Sequence, residues 1–222
     1  MLDQLREHIR AGTPIVGMEP SCLAVFKDEL GKMLPHDDDA QRMERNVYHF
    51  GEFFRTFDIE PPKLAGQAIL WGHCHHRATG GVETEKEVLE QMGLDTNSVE
   101  GGCCGLAGSW GFEKGKWQIS LDCGEQAYLP AVRDADEGTL IVANGFSCQT
   151  QLMDVPDVDK SALHLAQVLK LAREKGSAES VRRRPTPAIW LRAVRTAGPV
   201  ALAAVSGAAA VAWGRRKAGR HG

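Results

Sequence analysis

The chain has 222 residues, 43% of them hydrophobic and 25% charged, with a formal net charge of −3. That length suits one domain of ordinary size with an appendage. The mild acidity, without an aromatic-and-basic stripe, gives no nucleic-acid partner, and Met1-Leu2-Asp3-Gln4-Leu5-Arg6-Glu7 reads as a polar helix start and not a secretory signal.

In chain order, a short helix is expected over residues 2–11 and a strand over Thr13–Met18. Glu19-Pro20-Ser21-Cys22 then leads into a helix through Leu30. A second helix is expected from Asp38 to Phe57, with Val47, Phe50, Phe53, Phe54 and Phe57 as its apolar stripe, and Pro61-Pro62 breaks it. Gln67–Trp71 reads as a strand running into Gly72-His73-Cys74-His75-His76. Glu83–Met92 reads as a helix ended by Gly93, and a short strand around Ser98-Val99 delivers the chain to Cys103. Lys116–Arg133 is mostly helix with Pro130 near its end, Thr139–Ala143 is a buried strand, and Asp159–Lys175 is an amphipathic helix. Strands alternating with helices predict a parallel sheet flanked by helices, the α/β class.

From Ser177 the composition changes. Arg182-Arg183-Arg184-Pro185-Thr186-Pro187 reads as a linker, and Pro199–Trp213 as an apolar, alanine-rich run closed by Arg215-Arg216-Lys217. At ~1.5 Å per residue that run spans ~22 Å, short of the ~30 Å hydrocarbon core. Two readings stand for residues 177–222: a C-terminal helix touching the membrane surface through its basic flanks, or a solvent-exposed, partly disordered tail.

The chemistry lies in the cysteines. Cys103-Cys104 sits in Gly101-Gly102-Cys103-Cys104-Gly105-Leu106-Ala107-Gly108. Neighbouring side chains on an extended chain point to opposite faces, so a core would use one of the two. Flanking glycines, Gly105 among them, let the backbone wrap a bulky group and bring both sulfurs to it. Every cysteine except Cys123 follows an expected strand: Cys22, Cys74, Cys103-Cys104 and Cys148. A parallel sheet puts all carboxyl ends on one edge, so these thiols are expected to converge there. Thiolates are soft ligands for iron–sulfur clusters or zinc. A structural zinc is the rival, although no Cys-x-x-Cys knuckle is present, and a catalytic thiol with a nearby histidine is a further reading. His73 and His75 share a side of an extended segment and are expected beside the metal ligands; His76 reads equally well as a solvated loop histidine. Six cysteines without an export signal predict a reducing cytoplasm.

An internal repeat aligns Gly12-Thr13-Pro14-Ile15-Val16-Gly17-Met18-Glu19-Pro20-Ser21-Cys22 with Gly138-Thr139-Leu140-Ile141-Val142-Ala143-Asn144-Gly145-Phe146-Ser147-Cys148, six of eleven positions matching. The second copy has strands bearing Cys74 and Cys103-Cys104 before it, and the first has none. The expectation is therefore a truncated first repeat over residues 1–60, an intact second over 61–176 and the tail over 177–222, with the missing half upstream or in a separate chain.

Gly-Cys-Cys-Gly with a preceding His-Cys-His and a trailing Ser-Cys resembles the cysteine-rich CCG domain family, over residues 1 to about 175. That family includes the cysteine-rich subunit of heterodisulfide reductase, the iron–sulfur subunit of glycolate oxidase and the C-terminal part of FAD-linked D-lactate dehydrogenases; the last is the most similar branch. The resemblance implies metal ligation by Cys74, Cys103, Cys104 and Cys148, with Cys22 joining this site or belonging to the truncated one. It implies a non-cubane cluster or a [4Fe–4S] cluster, the latter held by four thiolates or by three with a fourth ligand such as Glu19 or His73, and FAD only in an upstream portion. It implies electron transfer from an upstream FAD and ferredoxin-like domain or subunit to a quinone or cytochrome, in a D-lactate- or glycolate-type 2-hydroxyacid dehydrogenase. A heterodisulfide-reductase-like thiol/disulfide enzyme and a zinc-stabilised scaffold are the alternatives. The chain departs from the family's closing Cys-x-x-Cys at Gly145, and Glu19 stands at the corresponding place of the first repeat.

Overall fold

A computed structural model of the protein describes residues 1–175, all within the compact unit Met1–Ser180. The first part comprises α1 (Leu2–Arg10), β1 (Ile15–Val16), α2 (Pro20–Ala24), a π-helical turn (Val25–Glu29), α3 (Leu30–Met33), α4 (Asp38–Asn46), β2 (Val47–Tyr48) and α5 (Phe50–Thr56). Then follow β3 (Gly66–Trp71), α6 (Cys74–Thr79), α7 (Glu83–Met92), β4 (Leu94–Val99), a 3₁₀ turn (Trp110–Phe112), α8 (Trp117–Gly124) and α9 (Tyr128–Asp134). The last elements are β5 (Leu140–Ala143), α10 (Phe146–Asp154), β6 (Ala162–Leu163) and α11 (Leu165–Lys175).

The fold is α/β, with parallel sheets flanked by helices. β1 pairs with β2, and a four-stranded sheet runs β4-β3-β5-β6, every pairing parallel. The inner strands are apolar where they run side by side, with Ala68–Trp71 and Leu140–Ala143 all buried, as a parallel strand covered on both faces requires. Trp71, Leu106, Tyr128, Leu129, Val132, Ile141 and Leu152 form the main core. A smaller one under the first sheet joins Ile9, Leu23, Met43 and Val47.

The two halves use the same device. β1 and β5 each lead into a helix bearing a cysteine and then receive a short second strand on one side. Past that strand, the backbone N–H of His49 donates to Glu52 Oε2 at 2.8 Å, and that of His164 to Gln167 Oε1 at 2.7 Å. Each pair caps the helix that follows.

Three expected helices break where an extended pairing or a buried aromatic competes with helical propensity. Residues 38–57 divide because Val47-Tyr48 pairs with Ile15-Val16, which buries Val47 in the smaller core. Residues 116–133 divide at Ala127, which turns Tyr128 into the main core. Pro130 falls in the first turn of α9, where a missing N–H costs nothing. Residues 159–175 begin extended because Ala162-Leu163 extends the sheet beside β5. The expected linker and tail, 177–222, lie outside the described residues, among which no helix is long and apolar enough to cross a membrane.

A charged clasp holds α1 to α4. Arg6 donates to Asp37 and Asp39, and Arg10 to Asp39 at 2.7–2.9 Å, while Asp37 accepts from the Asp39 and Ala40 amides. Arg10, and then Arg6, hold the Asp39 carboxyl down to about 2, against ~3.9 in an unfolded chain. A depressed carboxyl contributes stability above its unfolded value and loses it as pH falls through the folded one. Thermal unfolding across a pH series is therefore expected to show Asp39→Asn less stable than wild type at pH 6, with the gap closing between about pH 4 and 2.

Candidate metal centre

The site begins with strand register. Trp71 lies opposite both Val99 and Ala143, so β3, β4 and β5 end at one level and their following segments leave from one edge. β3 hands over to His73 and Cys74 at the start of α6, β4 to the Cys103-Cys104 loop, and β5 to Gly145 and α10. Parallel strands thus place polar, thiol-bearing segments at the sheet's carboxyl edge, where α/β folds build their sites.

Four cysteines meet there. The thiols of Cys74, Cys103, Cys104 and Cys148 form a row of successive hydrogen-bonding contacts in that order. Cys104 and Cys148 are buried, Cys103 is half-buried and Cys74 is exposed. All four line a cavity of about 600 Å³ together with His73, His75 and Glu19. Cys104 and Cys74 donate to Cys103, and the Gly105 N–H reaches its Sγ at 3.3 Å. Those donors make Cys103 the favoured thiolate and push the Cys74 and Cys104 thiols up.

The loop after Cys104 requires glycine at 105. Gly105 has φ +100°, and a Cβ there would stand 1.9 Å from the Ser120 carbonyl oxygen. Ser120 is in turn tied to Gln151, one turn after Cys148, through its carbonyl at 3.4 Å and its hydroxyl at 3.2 Å. The Cys103-Cys104 loop, α8 and α10 are thereby locked together. On the opposite side Arg77, one turn after Cys74, donates to the carbonyls of Val99 and Gly101. Its guanidinium lies 4.7 Å over the Trp71 ring. Trp71 stacks on Tyr128 at 4.5 Å, and the Tyr128 hydroxyl donates to the Cys148 carbonyl at 3.2 Å. Each cysteine segment is thus tied to another by a side chain that is not a cysteine.

His73 caps α6, its Nδ1 accepting from the His75 N–H at 3.2 Å. Burial pushes the imidazole below its ordinary value, opposed by Glu19. A Cβ at Gly145 would stand 2.2 Å from His73 Cδ2, so the ring fills the space a side chain at 145 would need. His75 lines the cavity and is exposed. His76, whose sequence context fits a solvated loop equally well, is instead buried, stacked on His49 at 3.7 Å with Nε2 3.2 Å from Glu85. Cys22 is exposed on α2 and Cys123 half-buried on α8; neither lines the cavity.

Sequence reasoning missed Arg77, Tyr128 and Gln151 because each acts through the backbone of a distant segment. Arg77 and Gln151 carry one local signal, their place one helical turn beyond Cys74 and Cys148.

Curated relatives align with about two thirds of the chain. D-2-hydroxyglutarate dehydrogenase of Escherichia coli (strain K12) is 27% identical over 158 residues, covering 69% of this chain and 15% of that protein. The Pseudomonas putida protein of the same name is 25% identical over 67% of this chain and 14% of its own length. One subunit of the anaerobic glycerol-3-phosphate dehydrogenase of E. coli K12 is 24% identical over 68% of this chain and 39% of its own. The chain thus spans only a minor part of the relatives it matches. No family model matches it.

Gly105 and Gly108 separate strain from collision. Both have positive φ, at +100° and +75°, but a Cβ at 108 would meet nothing within 4 Å. Gly108→Ala is expected to cost about 1 kcal/mol. Gly105→Ala, which adds the clash with Ser120, is expected to cost at least about 3 kcal/mol, both read from denaturant midpoints of the metal-free protein.

Proposed function

We propose that the chain is the iron–sulfur electron-transfer module of an FAD-linked 2-hydroxyacid dehydrogenase. It takes electrons from flavin and ferredoxin-type clusters in an upstream domain or partner subunit and passes them to a quinone or cytochrome. The observation that carries this reading is the row of four thiols, drawn from three separate segments, along one cavity at the sheet edge. The relatives' names agree in kind: D-2-hydroxyglutarate is a 2-hydroxy acid, and both sets of proteins are named as dehydrogenases.

The donor chemistry fits the group. Thiolates are the usual ligands of iron–sulfur centres, which supply reversible one-electron transfer when bound. In this reading Cys74, Cys103, Cys104 and Cys148 hold the cluster. The Gly105 N–H tempers charge on the Cys103 sulfur, and His73 and His75 line the same cavity. Cys104 and Cys148 belong to the same buried core as Leu106 and the Trp71–Tyr128 stack. A single zinc ion needs its ligands about 2.3 Å from one point. Four sulfurs in a row instead suit a centre of several metal atoms. Oxidation of the hydroxy acid is assigned to the upstream flavin. The setting proposed is the cytoplasm, with Pro199–Trp213 and its basic flanks touching the membrane of a quinone acceptor.

Full-length protein purified without oxygen is expected to be brown and to contain iron and acid-labile sulfide in equal amounts. Cys104→Ser and Cys148→Ser are expected to lose most of both, whereas Cys22→Ser and Cys123→Ser retain them. A colourless protein holding zinc without iron or sulfide would overturn the proposal.

A further inference from the structure

We infer that Glu19 is a positioning and tuning residue for the cysteine cavity: a carboxylate from the first repeat that caps the helix carrying Cys148 and makes the bound centre harder to reduce. This rests on the iron–sulfur reading above.

α10 begins at Phe146 behind Gly145, which has no side chain to offer its first amides. A cap could not come from that position, because the His73 ring stands where its Cβ would be. The Phe146 N–H instead donates to Glu19 Oε2 at 2.7 Å, across most of the chain's length. The other oxygen, Oε1, accepts from the Ser21 N–H at 3.3 Å and the Ser21 hydroxyl at 2.8 Å, so the same carboxylate caps α2. Cys22 and Cys148 are each the third residue of the helix that Glu19 caps. One acidic side chain therefore joins the two repeats at the point where they correspond.

Both Glu19 oxygens already accept hydrogen bonds, which argues against Glu19 as a metal ligand and for action at a distance. The side chain is only 14% exposed, with Oε1 3.9 Å from His73 Nε2, and it lines the cavity of the four cysteines. Water screens its charge poorly there, since charges in a low-dielectric site interact more strongly than in solvent. A centre that gains an electron gains negative charge, and a fixed carboxylate beside it opposes that gain. Net charge and nearby hydrogen bonds set iron–sulfur potentials. The Ser21 hydroxyl partly neutralises the carboxylate and should act in the opposite sense.

The test uses full-length protein purified without oxygen, with iron and sulfide per chain measured alongside a redox titration followed by visible absorbance. Glu19→Gln keeps the size and an acceptor oxygen but removes the charge. It is expected to load as much iron as wild type and to shift the oxidised–reduced equilibrium at least tenfold toward the reduced form, ~59 mV more positive for a one-electron couple. Ser21→Ala, which leaves the carboxylate in place, is expected to shift it toward the oxidised form. An unchanged potential in a fully loaded Glu19→Gln protein would overturn the inference while leaving the iron–sulfur reading intact. Should Glu19→Gln fail to load, Ser21→Ala decides: a potential equal to wild type overturns the inference, and a more negative one supports it. Wild-type protein without iron would overturn both.

Discussion

Trp71 faces Val99 on one side and Ala143 on the other, and the rest of the site depends on that register. Side chains alternate along a strand, so a slip of one residue between β3 and β5 would present each side chain to the opposite face. It would also move α10, and Cys148 with it, by ~3.3 Å along the edge. Sulfur contacts tolerate no such movement. The buried runs Ala68–Trp71 and Leu140–Ala143 lie side by side end to end in this register, so a slip would carry one end of an apolar run past its partner. Hydrophobic burial thus sets the geometry of a polar site that has little cohesion of its own.

The site itself is an electrostatic conflict. Four thiols in contact can share protons, but they cannot all give them up, because each new thiolate raises the cost of the next. Cys103 takes the charge, helped by the Gly105 amide, while Cys74 and Cys104 are held as donors. A row of this kind does not hold itself together once charged. The frame around it supplies the cohesion: Arg77 to two carbonyls, Tyr128 to the Cys148 backbone and Gln151 to Ser120. None of these groups needs to change when thiols lose protons to a cation, so the backbone can keep one geometry while the sulfurs change charge.

Much of this was legible in the sequence, and the reasons are specific. Cys103-Cys104 between glycines is wasteful as packing, and thiols placed after strands converge once the sheet is parallel. Glu83–Met92 matched its helix residue for residue because nothing competes with its period, and Gly93 ends it at φ +105°. The losses came where non-local pairing won. Val47-Tyr48 has helical neighbours on both sides, and only β1, some thirty residues earlier, makes it a strand. His76 reads as one of three loop histidines until His49, from another segment, stacks on it.

The repeat yields to the same physical reading. Similarity between Gly12–Cys22 and Gly138–Cys148 could be ascribed to two buried strands needing Ile-Val. The later match argues otherwise, because His49 with Glu52 and His164 with Gln167 make the same backbone-to-side-chain cap behind β2 and β6. A cap of that kind is not demanded by sheet burial, and its two copies use different acceptors, a carboxylate and an amide. What the halves preserve is therefore a way of starting a helix beside a sheet edge. The single place where they differ most sharply, Glu19 against Gly145, is where one repeat reaches into the other: the glycine leaves room for His73, and the glutamate supplies the cap that the glycine cannot.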